Sequence, residues 1–222
     1  MFEVVVLRVV PELAGFEYDF LLSFVSSKRR ERLGRFCFFG DARNSLLGDV
    51  LARVLLCRVT GFSNGELEFG VNSYGKPFLV NDSGVHFNIS HVGSFVVCVV
   101  CDVPVGVDVE LVKPVDVRLV ERFFVSDEQR YVLSSQDDAV RNARFFEVWT
   151  KKESRIKWVG GGLFESLSSF SVLDSLETLG VFYHCICNNG ELIGYVCSSK
   201  KEVPTVRVID TSLLLRYVRL LK

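Results

Sequence analysis

Apolar positions along this chain recur with a period of two in some segments and of three to four in others. From Phe2 to Val10 an apolar stretch carries Glu3 and Arg8 within it, which predicts a strand. A basic stretch, "SKRRERLGRF", comes next. Leu47, Val50, Leu51, Val54 and Leu55 then repeat at helical spacing and predict a helix capped by Asp41 that ends before Gly61. "VHFNIS" (85–90), "FVVCVVC" (95–101) and the stretch 105–110 read as three neighbouring antiparallel strands, because only "HVGS" and "CDVP" separate them. A helix is expected near 116–124, and "SDEQ" (126–129) opens another, with Ser126 as cap and Gln129 completing the box. A long helix over about 140–158 stops at the glycines 160–162. Strands near 168–173, 181–187 and 192–198 and a terminal helix in "DTSLLLRYVRLL" complete the set.

Strands and helices mixed without βαβ alternation place the chain in the α+β class. Each half, 1–104 and 105–222, has a long helix and a set of strands, so two similar lobes are expected. Composition narrows the function more than the fold. With 222 residues, 49% hydrophobic and 24% charged, the chain supports a sizeable core. Its 26 basic and 27 acidic residues leave a net charge of −1, so no global field favours nucleic acid or an anionic membrane. Mean hydropathy is high at +0.28, yet no apolar run reaches the roughly 18 residues of a membrane span. The apolar start, carrying two charges, reads as a strand and not as a signal peptide. Seven cysteines without secretory features predict reduced thiols in the cytoplasm. In "CVVC" (98–101) a mid-strand separation of three points the two sulfurs to opposite faces, which argues for core packing and against zinc.

The first chemical signal is "GVDVE" (106–110). Strand alternation puts Asp108 and Glu110 on one face. Two carboxylates about 4 Å apart repel by roughly 4 kcal/mol at an effective dielectric near 20, so a pair kept this way needs a reason. The long helix carries a second signal. Phe146, Trp149, Glu153 and Ile156 form one stripe, so Glu153 occupies an apolar seam, with Lys157 one turn later. As a surface pair at i,i+4, Glu153 and Lys157 would contribute only about 0.2–0.5 kcal/mol. Converging with the strand pair, Glu153 makes a third carboxylate, and such a trio calls for a hard cation such as Mg²⁺ that shares phosphate oxygens. Phosphate ligands are available in Lys28, Arg29, Arg30, Arg32 and Arg35, in the turn "YGKP" (74–77) and in "FNISH" (87–91), although no Gly-rich phosphate loop occurs.

Taken in order, "YGKP", "FNISH", "GVDVE", "FFVSDE", "WTKKESRIK" and "GGGL" closely resemble motifs of the 4′-phosphopantetheinyl transferases of the surfactin-synthetase-activating (Sfp) type. The resemblance runs from about Lys28 to Val196 and includes "DARNSLLGDVLAR" (41–53). It implies two similar α+β lobes forming a pseudo-dimer in one chain, with coenzyme A bound between them. It implies transfer of phosphopantetheine from coenzyme A to a serine of an apo acyl or peptidyl carrier protein, releasing 3′,5′-ADP. By the same resemblance Asp108, Glu110 and Glu153 are metal ligands for Mg²⁺, or Mn²⁺ in its place. The resemblance also implies that Glu153, Lys157, His91 and Glu128 are the catalytic group. It implies that Arg29, Arg32, Ser45, Lys76, Pro77, Ser90, His91 and Lys157 hold coenzyme A. A monomer that binds neither nucleic acid nor membrane is implied as well. Two departures stand out: Val92 follows the Ser-His pair, and "RNS" (43–45) places Asn44 where a basic residue is expected. Two rival classes remain: another Mg²⁺-dependent phosphotransfer or nucleotide-cleaving enzyme using the same three acids, and a non-catalytic coenzyme A or carrier-binding module, against which the carboxylate trio and Lys157 argue.

Overall fold

The computed structural model describes residues 1–10, 12–81, 84–161, 166–173 and 180–221. In chain order its strands are β1 (Phe2–Arg8), β2 (Phe69–Val71), β3 (Pro77–Leu79), β4 (His86–Val92), β5 (Phe95–Cys101), β6 (Val105–Leu111), β7 (Phe182–Asn188), β8 (Leu192–Ser198) and β9 (Thr205–Asp210). Its α-helices are α1 (Gly15–Leu22), α2 (Ser27–Leu33), α3 (Phe39–Thr60), α4 (Val117–Phe123), α5 (Ser126–Leu133), α6 (Asp138–Val159) and α7 (Thr211–Arg219). Contacts divide the chain into two units. The first comprises Met1–Gly70, Pro77–Asp102 and Pro204–Lys222, and the second Val71–Lys76 and Val103–Val203.

In the first unit the sheet order is β4-β5-β1-β9. β4 and β5 form the expected antiparallel hairpin, and β1 lies antiparallel to β5 from Phe2↔Cys101 to Arg8↔Phe95. The apolar stripe of α3 (Leu47, Val50, Leu51, Val54, Leu55) is buried against Val5, Leu7, Val96, Cys98 and Val100. Cys98 is therefore a core residue, and Cys101 points to the opposite face, as alternation requires. In the second unit the order is β6-β8-β7, antiparallel throughout, and α6 packs on β6 and β8. The two units repeat one topology. β1–α3–β4–β5 with order β4-β5-β1 corresponds to β6–α6–β7–β8 with order β7-β8-β6. Each repeat leaves its first strand through a 22-residue helix and returns as a hairpin.

Several elements differ from the sequence expectation. β6 does not join β5, whose second edge is already occupied by β1, and pairs instead with β8. The stretch 168–173 forms no strand, and a short 3-10 turn, Leu167–Ser169, runs into its start. Asp41 lies in the first turn of α3 and is not its cap. The cap of α5 is Val125, one residue earlier than expected, because the carboxylate at the third helical position is that of Glu128. The division at 104/105 also needs correction, since 204–222 returns to the first unit. There β9 lies parallel to β1, and α7, capped by the Asp210 side chain, follows it. β9 escaped notice because Ile209 alone of its residues is buried, so the strand shows no apolar face. Among the described residues no helix is long and apolar enough to cross a membrane.

Candidate active site

β6 presents Gly106, Asp108 and Glu110 toward α6. A Cβ on Gly106 would stand 2.8 Å from the carbonyl carbon of Lys157 and closer still to Ser154 O and Trp158 N. Only glycine lets strand and helix approach this nearly. That contact sets the carboxylates of β6 beside Glu153 and Lys157, one helical turn apart on α6. Lys157 Nζ donates to Asp108 Oδ1 at 2.6 Å, with Asp108 buried and Lys157 partly so. Lys157 therefore bridges from helix to strand and is more than a surface partner of Glu153. The group is electrostatically coupled. Burial, and next to it the Asp108 carboxylate, holds Glu110 above the usual carboxylate range, with Lys113 and Lys157 acting the other way and Glu153 adding to the rise. Burial and Asp108 raise Glu153 likewise, against Lys157.

Asp108 raises the proton affinity of both Glu110 and Glu153, and side chains so placed are a donor set of the kind that suits a divalent cation. Among the described residues no three such side chains already stand at metal-holding separation. In this structure the Lys157 ammonium supplies the counter-charge to Asp108.

Glu128, expected in the catalytic group, takes a structural place instead. It has no exposed surface, and neither has its partner Lys152, whose Nζ lies 2.8 Å from Glu128 Oε2. The Glu128 carboxylate also accepts from Val125 N (3.1 Å) and Val172 N (2.9 Å). Lys152 Nζ donates to Leu167 O (2.7 Å) and Phe170 O. A carboxylate enclosed in this way cannot touch a substrate, so its catalytic assignment is withdrawn. The pair clamps 166–173 to α5 and α6, and this clamp explains why that segment is ordered without being a strand. Lys152 was legible in principle, since Phe145, Val148, Lys152 and Ile156 form one buried stripe of α6.

Lys76, expected to hold the nucleotide, is likewise engaged. Its ammonium donates to Val105 O (3.0 Å), Trp158 O (3.3 Å) and Lys157 O, and burial brings its pKa down to about 8. Pro77 opens β3 in the first unit. Gly160 ends α6 in the left-handed conformation. The rest of the "GGGL" motif reaches residues 162 and 163, outside the described residues.

In the first unit Arg29 and Ser45 are brought together, with Arg29 Nη2 donating to Ser45 Oγ at 2.7 Å. Arg29 Nε also pairs with Asp49, a residue the sequence reading did not single out although it lies one turn after Ser45. Burial raises the Asp49 carboxyl, and Arg29, Arg53 and Arg32 work against the rise. Arg32 is exposed. Ser90 and His91 fall on opposite faces of β4. Ser90 is buried, whereas exposed His91 shares the face of Ile89, which packs on Gly48 of α3. Asn44 is buried and donates to Gly93 O at 2.8 Å, tying α3 to the β4–β5 turn.

Residues 14–102 match the model of the family described as "4′-phosphopantetheinyl transferase, N-terminal", and residues 104–192 match the "4′-phosphopantetheinyl transferase superfamily". The 4′-phosphopantetheinyl transferase gsp of Aneurinibacillus migulanus is 37% identical over 183 residues, 82% of this chain and 76% of the relative. The chain belongs to the 4′-phosphopantetheinyl transferases. The 4′-phosphopantetheinyl transferases ffp and Sfp of Bacillus subtilis are 41% and 38% identical over 156 residues each, 70% of this chain and 69% of the relatives. As a transferase of this family the protein moves phosphopantetheine from coenzyme A to a carrier protein. Each matched stretch covers one topological repeat in part: 14–102 contains α3, β4 and β5 but not β1, and 104–192 contains β6, α6 and β7 but only the first residue of β8.

Proposed function

We propose that the transferase modifies apo acyl or peptidyl carrier proteins in the cytoplasm as a monomer, with Mg²⁺ held by Asp108, Glu110 and Glu153. The observation that supports this reading most directly is the Lys157–Asp108 contact, with Glu110 and Glu153 coupled to it. The metal, when bound, neutralises charge on the pyrophosphate of coenzyme A. The chain's own residues do the rest. Lys157 reaches the same phosphates as a point charge and offsets the charge that develops on the leaving 3′,5′-ADP. The carrier serine oxygen forms the new bond to the phosphorus bearing pantetheine, and the bond from that phosphorus to the ADP oxygen breaks. The serine proton goes to Glu153, directly or through a water beside it, since burial and Asp108 raise that carboxylate's proton affinity.

Arg29, Arg32 and Ser45 are assigned to the 3′-phosphate, with His91 contributing to the phosphates from the exposed face of β4. Support comes from the Arg29–Ser45 hydrogen bond, which gathers two donors toward one point. Replacing Arg29 and Arg32 by Ala is expected to weaken coenzyme A by about 1.5–3 kcal/mol per contact and 3′-dephospho-coenzyme A far less. Steady-state kinetics with the two substrates checks this, and equal losses would remove the assignment.

Carrier docking is assigned to the rim of α4. Val120 and Phe124 are buried there, whereas Val117 is exposed beside Lys113, Arg118 and Arg122. Arg118 is already pinned by Asp116, whose carboxyl it holds down at about 2 through hydrogen bonds, so Lys113 and Arg122 offer the less encumbered charges. Reversing Lys113 and Arg122 to Glu is expected to raise the carrier KM at low salt, with an effect that fades as salt rises and with coenzyme A binding unchanged. Carrier kinetics that ignore the double reversal at low salt would move the docking surface elsewhere.

A further inference from the structure

We propose that Lys76 is a positioning residue whose ammonium locks the last turn of α6 onto β6, and so sets Glu153 and Lys157 against Asp108 and Glu110. The inference rests on the proposed function insofar as it takes those four residues as the reacting group. Its structural half stands alone.

A helix leaves its final carbonyls without partners inside the helix, and the end carries a partial negative charge. In α6 the Lys157 and Trp158 carbonyls accept from the Lys76 ammonium. A third bond goes to Val105 O at 3.0 Å, on the first residue of β6. One cation thereby joins the end of the helix to the start of the strand. The joint lies where Gly106 allows backbone contact, three residues before Asp108 and on the residue that bears the Lys157 side chain. The turn holding Lys76 is itself built for the purpose. Asn72 Oδ1 accepts from Tyr74 N and Lys76 N, both at 2.9 Å, while Asn72 Nδ2 donates to Gly160 O at 2.8 Å. The second side chain of the turn thus caps the same helix end. An ammonium has three donors, and all three are used here. Gripping a nucleotide would mean breaking this joint.

Lys76→Met keeps the aliphatic stem and removes the donors. Hydrogen–deuterium exchange on the full chain is expected to show faster exchange at residues 156–160, with β7 and β8 unchanged. kcat is expected to fall by about 10–100-fold, since a displacement of about 1 Å in a reacting group has that scale of effect. KM for coenzyme A should stay within about twofold, as expected when an interaction felt only in the transition state is lost. The preference for coenzyme A over its 3′-dephospho form should not change. Asn72→Ala, acting on the same helix end, should produce the same signature to a smaller degree. A raised KM for coenzyme A with kcat intact would overturn the proposal and return Lys76 to the nucleotide. Unchanged exchange at 156–160 in Lys76→Met would equally overturn it. The exchange result does not depend on turnover, so failure of the lock and failure of the proposed function are told apart.

Discussion

Asp108→Asn is expected to reduce transfer by at least about 10²–10³-fold in kcat while the chain remains folded. Asp108 is the hub of the site: it receives Lys157 from α6, and its charge raises both Glu110 and Glu153. Substitution by Asn keeps the volume and relieves repulsion on two neighbouring carboxylates, so the melting temperature should hold or rise slightly. A second readout separates metal binding from catalysis. Mg²⁺ should raise the melting temperature of the unaltered protein by mass action, because it binds the folded state, and should not do so in Asp108→Asn. A variant that turns over at near the original rate with Mg²⁺, or that keeps the Mg²⁺-dependent shift, would contradict the assignment of the metal ligands.

The largest effect on stability is expected at Lys152. Lys152→Met should cost about 3–5 kcal/mol, since it leaves the Glu128 carboxylate buried without its counter-ion. Burial dominates both partners, holding the Glu128 carboxyl up and the Lys152 ammonium down despite their mutual attraction. Removing both charges together, in Lys152→Met with Glu128→Gln, should recover much of the loss, because no charge then remains enclosed. Denaturant unfolding of the two single variants and the double variant measures the cycle. A double variant as unstable as the sum of the singles would mean that the hydrogen bonds to Leu167, Phe170 and Val172 carry the effect and not the ion pair.

These two cases mark what a sequence shows and what it hides. The shared face of Asp108 and Glu110 was legible because a strand has a strict period of two, and the seam position of Glu153 because a helix repeats every three to four residues. The hairpin of β4 and β5, the long helices and the α+β class followed from the same periodicities. The partner of β6 was not legible, because whether an edge is free depends on β1, a hundred residues earlier. Glu128 and Lys152 lie 24 positions apart, and nothing local distinguishes a buried acid from one facing a substrate. Lys76 presents the same difficulty: a lysine in a turn reads as a phosphate ligand until the helix end that receives it is seen.

Intact-protein mass spectrometry of a panel of apo carrier proteins, incubated with coenzyme A, Mg²⁺ and this protein, tests the central claim most directly. The predicted result is one phosphopantetheine on a single carrier serine, with 3′,5′-ADP released in equal amount and only when carrier is present. Release of 3′,5′-ADP from coenzyme A without carrier, or carriers left unmodified while coenzyme A is bound, would contradict it.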